Sequence, residues 1–292
     1  MIAEDPLVSI VIPCYNHAQF VQETIQSVID QSYRNIELII IDDGSKDNSV
    51  EVIKKMQPAC EKRFSRFEFR YRPNKGLCAT LNEALKWCEG EFFAPIASDD
   101  TVRKYKTCIQ VKYLQENASS IGVFGGVELI DEKVGTSKTI IKKARKYFFE
   151  DVFLHRHTLP ASTQFLRLKS VKNAGGFREE LAIEDWSMWL FLTEHGGTLD
   201  YIDKVLSAYR KHHGNFSSQF DKMQESRIEI LRVFSAHPLY NMALSRVYME
   251  EARDWQKNDF KKSLSSVKKS IYLDPKILLD IVFIKYIVKF IL

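Results

Sequence analysis

The chain has 292 residues, 45% hydrophobic and 27% charged, the balance of a folded domain rather than a disordered one. Its net charge of +4 arises from acids and bases mixed along most of the length, which argues against nucleic acid as the main partner. Five cysteines (Cys14, Cys60, Cys78, Cys88, Cys108) form no CxxC pair and no Cys/His cluster at zinc spacing, so they read as reduced packing residues. The first residues, MIAEDPLVSIVIP, carry acids where a signal peptide carries positive charge, and no stretch reaches the about 20 apolar residues of a spanning helix. The expectation is a cytoplasmic protein.

LVSIVIP is a β-branched apolar run closed by Pro13, the pattern of a buried strand. HAQFVQETIQSVIDQ then spaces Phe20, Val21, Ile25, Val28 and Ile29 at helical intervals. IELIII is a second buried strand, and DNSVEVIKKM opens a helix with Asp47 or Asn48 suited to the N-cap. FEFRYR alternates as a strand, GLCATLNEALKWC is helical, EFFAPIA is a strand, and TVRKYKTCIQVKYLQEN is helical again. Strands alternating with helices to residue 116 imply right-handed crossovers and a largely parallel sheet covered on both faces. The pattern then loosens: IGVFGGVELI is strand-like, SVKNAGGFREE is a short helix stopped by glycines, and IEDWSMWLFLTEHG is an aromatic-rich helix. Beyond about residue 216 only helices are readable.

Two acid pairs stand at the ends of buried strands, Asp42-Asp43 and Asp99-Asp100. Adjacent carboxylates repel and are costly to desolvate, so their placement asks for a compensating charge. In open parallel sheets the carboxyl ends of the strands form the ligand rim, and a hard cation such as Mg²⁺ joins carboxylates to phosphate oxygens. One such pair is as readily a turn; two at matching rim positions favour a site.

The stretch VSIVIPCYNHAQFVQETIQSVIDQSYRNIELIIIDDGSKDNS, followed by RPNKGLCATLNEAL, GEFFAPIASDD and GGFREELAIEDWSMWLFL, resembles the inverting glycosyltransferase family 2 over roughly residues 7 to 217. The resemblance implies the α/β GT-A nucleotide-diphospho-sugar transferase fold, Rossmann-like with a mostly parallel sheet, for a domain of residues 1–217; the helical pattern beyond it gives an all-helical appendage from 218 to 292. It implies a UDP-sugar donor, Mg²⁺ or Mn²⁺, and a saccharide acceptor, lipid-linked in surface-polysaccharide (O-antigen or capsule) pathways. Carried over by position, Pro13, Tyr15 and Asn16 frame the nucleotide. Asp43 meets the uracil ring, and Arg72, Asn74, Lys75 and Gly76 form the loop beside base and diphosphate. Asp99 lies near the ribose or the metal's water shell, and Asp100 is the direct metal ligand. Glu184-Asp185 matches the family's acid pair, with Asp185 the general base. YRKHHGNFS matches a loop in which Tyr209 and Arg210 approach the diphosphate and His212 completes the metal's coordination. No Q-x-x-R-W motif is present, which points to single-sugar addition rather than polymer extrusion.

The chemistry agrees with the residue types: inverting transfer needs a base for the acceptor hydroxyl and positive charge for the departing diphosphate. A catalytically silent nucleotide-sugar-binding or scaffold protein is the alternative, and metal-dependent turnover separates the two. Trp186, Met188 and Trp189 read as core packing. His155 and His157 lack an evident partner in sequence, and Ser162 and Thr163 are weaker acceptor-side candidates.

LYNMALSRVYMEEARDWQKNDFKKSLSSVKKSIYLDP reads as two amphipathic helices joined near Asn258-Asp259, resembling one tetratricopeptide hairpin. In KILLDIVFIKYIVKFIL, continuous helical geometry sets Lys276 and Asp280 nearly opposite Lys285 and Lys289. Residues 276–292 are then either a buried or dimer-forming helix, or a helix on the inner face of the cytoplasmic membrane with snorkelling lysines; the second is preferred.

Overall fold

The protein is described by a computed structural model covering residues 5–131, 136–211 and 219–291. It divides into two compact units, one of Met1–Phe149, Thr158–Glu179 and Glu184–His212, the other of Glu150–His157, Glu180–Ile183 and His213–Leu292.

The first unit begins with β1 (Val8–Cys14), α1 (Val21–Ile29), β2 (Ile36–Asp42), α2 (Ser49–Arg63), β3 (Arg66–Tyr71), α3 (Leu77–Trp87) and β4 (Phe92–Pro95). β5 (Thr101–Val102), α4 (Lys106–Glu116), β6 (Ser120–Asp131), β7 (Thr136–Ile140) and β8 (Arg145–Tyr147) follow. After the short α5 (Phe149–Phe153), which falls in the second unit from Glu150 on, come β9 (Phe165–Arg167), α6 (Leu168–Asn173), α7 (Glu184–Thr193) and β10 (Thr198–Lys211) of the first. The strands form one sheet in the order β3-β2-β1-β4-β9-β6-β10-β5, with β7 on β6 and β8 on β10. β3, β2, β1 and β4 are parallel throughout, as are β6 and β10; β9, β7, β8 and β5 join antiparallel.

β1 and β2 are apolar on both faces because both faces are covered. Ile10, Ile12, Leu38 and Ile40 pack on Val21, Ile25 and Val28 of α1 and Ile53 of α2, while Val11, Ile39 and Ile41 are buried on the opposite face. Each such side chain contributes about 1.5–3 kcal/mol on burial. The turn after α1 is tied to α2 by Arg63, whose guanidinium donates to the carbonyls of Ile29 (2.9 Å), Gln31 (2.9 Å) and Tyr33 (2.6 Å).

The helices of the second unit are α8 (Phe220–Val233), α9 (Tyr240–Trp255), α10 (Phe260–Leu273) and α11 (Ile281–Ile291). α9 and α10 form the expected hairpin, and Asp259 caps α10 by accepting from the Lys262 N–H. Its core is Met249, Ala252, Val267, Ile277 and Tyr286. Residues 276–291 do not form the single continuous helix expected from the sequence. Pro275–Leu279 is a 3₁₀ turn, and Asp280 starts a new helix by accepting from the Val282 N–H (2.9 Å) while pairing with Arg246. Lys276 and Asp280 therefore do not belong to the helix that carries Lys285 and Lys289. Among the described residues no helix is long and apolar enough to cross a membrane.

Candidate active site

Parallel pairing places the ends of β1, β2 and β4 on one rim, and each end passes into a loop carrying the polar residues named above. The two acids after β2 divide their work. Asp42, fully buried, accepts from the Ser45 N–H (2.9 Å) and hydroxyl (2.6 Å); the Ser45 hydroxyl in turn accepts from the Asn16 N–H (2.8 Å). Asn16 sits at φ +54° and accepts from the Lys46 N–H (2.7 Å) through its side chain. This network locks the loop after β1 against the loop after β2. It leaves Tyr15 exposed beside it and Pro13 half-buried.

Asp43 turns the other way. Its Oδ1 accepts from the Lys75 N–H (2.8 Å) and the Arg72 guanidinium, and its Oδ2 from the Gly76 N–H (2.9 Å). The carboxylate therefore organises the whole 72–76 loop, and Oδ2 keeps acceptor capacity. Two glycines make the approach possible. A Cβ on Gly44, at φ +76°, would stand 2.6 Å from the Asn74 nitrogen, and Gly76 holds φ +91° at the start of α3. Arg72 is fixed from behind by Glu83 (Nε to Oε2, 2.7 Å) and Thr80 (3.0 Å). Asn74 and the Lys75 side chain are exposed.

The second acid pair is deeper: Asp99 is 7% and Asp100 2% exposed. Asp100 Oδ1 accepts from the Arg210 N–H (2.9 Å), and the Arg210 Nε donates to the Asp99 carbonyl (3.0 Å). Arg210 also meets Glu23 (2.5 Å) and lies over the Phe20 ring at 4.9 Å. Burial and then the neighbouring charge of Asp99 push the Asp100 carboxyl up to about 8, against the opposing pull of Arg210. A hard cation compensates adjacent buried carboxylates of this kind, so the residues fit a divalent metal. Among the described residues no three His, Cys, Asp or Glu gather around one point. His212, the expected third ligand, lies outside the described residues. Tyr209 and Arg210 belong to the end of a 14-residue strand rather than to the expected loop.

Several residues that the sequence did not assign to the site hold this rim. The Thr24 hydroxyl donates toward the carbonyls of Ser98 (2.9 Å) and Asp100 (2.8 Å), joining α1 to the acid loop. His17 Nδ1 is bonded to the Ser98 hydroxyl (2.8 Å), and Asp47 accepts from the Ala18 N–H (3.0 Å) and from Ser49. Asp47 carried an N-cap signal; His17 and Ser98 had only their position near strand ends, and Thr24, inside α1, had none.

Glu184 and Asp185 open α7, both half-buried. Asp185 Oδ1 accepts from the Trp186 N–H (2.5 Å). Burial and the Asp185 charge push Glu184 up to about 8, and burial raises Asp185 as well. The approach to α7 is held by α3: Asn82 accepts from the Phe177 N–H and donates to the Phe177 carbonyl, each at 2.8 Å. Gly176, at φ +75°, leaves room for Asn82 there. Trp189 donates to Gln164 (3.2 Å) and packs edge-on against Phe124, while Trp186 and Met188 are buried, so these residues are core as expected. Glu184 and Asp185 stand on α7 and the two rim clusters on the loops after β1, β2 and β4, all within the first unit.

A parallel sheet with a loop cradle at β2 and a buried acid pair beyond β4 defines an open α/β protein whose ligand rim lies at the carboxyl ends of its strands. Residues 9–173 match the glycosyl transferase family 2, and the chain belongs to that family. An uncharacterized glycosyltransferase of Rickettsia conorii is 30% identical over 227 residues, which is 75% of this chain but 36% of that protein. The chain thus spans little more than a third of that relative. Bacillus subtilis TuaG, named as a teichuronic acid biosynthesis glycosyltransferase, is 26% identical over 73% of this chain and 82% of its own. Among solved structures, Staphylococcus aureus TarS residues 1–349 align over 92% of this chain and 81% of theirs, with TM-score 0.67 and 18% identity. A Pyrobaculum calidifontis mannosyltransferase in complex with GDP-Man and Mn²⁺ aligns over 92% and 76%, with TM-score 0.67 and 12% identity. These likenesses show the fold, which is the GT-A arrangement expected from the sequence.

Proposed function

We propose that the protein transfers one hexose or N-acetylhexosamine, with inversion, from a UDP-sugar to a saccharide acceptor in surface-polysaccharide synthesis. The observation that carries this reading is the pairing of Asp43, bound by three donors of the 72–76 loop, with the buried Asp99-Asp100 pair bonded to Arg210. The first makes a shaped acceptor for a base beside backbone N–H groups; the second concentrates charge where a diphosphate departs. TarS has been captured with UDP-GlcNAc, which supports a UDP-sugar donor.

Asp100 and Asp99 would hold a Mg²⁺ or Mn²⁺ ion, which supplies Lewis acidity for the leaving diphosphate when bound. Arg210 adds fixed positive charge there, and the exposed Lys75 of the 72–76 loop is the further cationic candidate. Asp185 takes the proton of the attacking acceptor hydroxyl, and a carboxyl raised toward neutrality suits that task. Displacement then forms the new glycosidic bond as the bond to the diphosphate breaks, with no covalent enzyme intermediate.

An acceptor carried on a lipid fits α11, where Tyr286 is buried while Ile281, Ile284 and Val288 are exposed beside Lys285 and Lys289.

The deciding assay is nucleoside diphosphate release across UDP-, GDP-, dTDP- and CMP-sugars, with Mn²⁺ or Mg²⁺ and again with EDTA. Release from one UDP-sugar, lost with EDTA and lost by at least 100-fold in Asp185→Asn at unchanged donor affinity, is expected. Donor binding with no turnover under any acceptor mixture would instead mark a catalytically silent binding protein.

A further inference from the structure

The chain between β7 and α5 is a basic ribbon built on the catalytic unit. Residues 137–146 are all exposed, and Lys138, Lys142, Lys143, Arg145 and Lys146 occur there without a single acid. Lys138, Lys142 and Lys143 form no ion pair among the described residues, while Lys146 meets Asp200 at 3.5 Å. Ile140, Ile141 and Phe148 are exposed among these cations, at 38%, 45% and 58%.

The ribbon is fixed rather than loosely draped. β7 pairs with β6 at one end and β8 with β10 at the other, and between them the Lys142 N–H donates to the buried Tyr201 hydroxyl (3.0 Å). It crosses over Gly126, where a Cβ would stand 2.8 Å from the Ile140 oxygen. Register also relates it to the rim. Lys138 pairs with Leu129 and Leu129 with Tyr209, so the three share one face, with about 10 Å of backbone separation across two strand spacings.

We infer that this ribbon seats the catalytic unit on an anionic phospholipid surface. Charge alone would suit any polyanion. Exposed isoleucines and a phenylalanine held among the lysines add apolar area that a bilayer interface takes up together with the charge, and a soluble polyanion does not. The consequence is that the sheet's ligand rim works close to the membrane plane. This inference stands on unit-one residues alone, independent of α11 and of which donor is used.

The test is flotation of the full chain with vesicles of phosphatidylcholine alone and with about one-third phosphatidylglycerol, at low and raised salt. Expected are flotation only with the anionic vesicles, weakening with salt, and a loss of about 10- to 100-fold in Lys138→Gln/Lys142→Gln/Lys143→Gln. Ile140→Ser/Ile141→Ser should weaken binding to vesicles while leaving binding to soluble polyglutamate unchanged. An Ile281→Ser/Ile284→Ser chain reports on α11 separately, and diphosphate release without vesicles confirms that each variant is folded. The inference is overturned if the triple glutamine variant floats like the parent, if neutral vesicles bind equally, or if the serine variant loses nothing.

Discussion

Glu184→Gln is the sharpest perturbation available, since it removes one charge from the α7 acid pair with almost no change of shape. Glu184 is raised from 4.5 to about 8 by burial and by the Asp185 charge. In the folded protein it therefore holds a proton that the unfolded chain has released between those values. Stability is fully present below about pH 4.5 and is lost as pH rises through about 8. An isolated group shifted that far would account for roughly 5 kcal/mol. Because the burial is partial and shared with Asp185, about 1–3 kcal/mol is the expected gain for Glu184→Gln at pH 8, falling to nearly zero at pH 4.5. Urea unfolding at both pH values, with the slopes compared, reads this directly. Below about 8 the protonated Glu184 is as uncharged as a glutamine, and burial is what raises Asp185, so the acid limb of the rate profile should stay in place. A stability difference independent of pH, or a limb that moves, would refute this protonation state of Glu184.

Asp100→Asn should cut metal-dependent turnover by at least about 100-fold without lowering the melting temperature, because it relieves a buried like-charge pair and keeps an acceptor for the Arg210 N–H; a cooperative loss of folding would count against the site reading. Gly44→Ala forces a Cβ to 2.6 Å from the Asn74 nitrogen at positive φ, and a loss of about 2–4 kcal/mol with weakened donor binding by calorimetry is expected. Tyr286→Ala empties a site packed against Met249, Ala252 and Val267 and breaks the bond to Ser263 (2.9 Å), which should cost about 3–5 kcal/mol. Thermal scans should place that loss in the helical unit while diphosphate release survives at low temperature.

Much of the first half was legible because its strands are buried on both faces and therefore spell out continuous apolar runs. β1, β2 and β4, and the acid pairs that end β2 and follow β4, came from that pattern. β10 did not, although it is the longest strand and carries Arg210. Its sequence, TLDYIDKVLSAYRK, mixes polar and apolar residues because it pairs with β6, β8 and β5 in turn, with bulges near Val205. β5, β8 and β9 have two or three residues each, too few to show any period. The terminal apolar stretch misled for a different reason: its composition suggested one helix, while Pro275 and the Asp280 cap divide it.

By itself the sequence determined the parallel α/β half, the rim position of its carboxylates and the short helix that leads to Glu184-Asp185. Those follow from burial and turn chemistry, which each segment encodes locally. Only the tertiary structure decided that Asp42 locks two loops while Asp43 holds the 72–76 loop, that Glu83 backs Arg72, and that Arg210 reaches Asp100 from 110 residues away. Adjacent aspartates are chemically identical until distant donors arrive, and which donors arrive is set by the packing of the whole sheet.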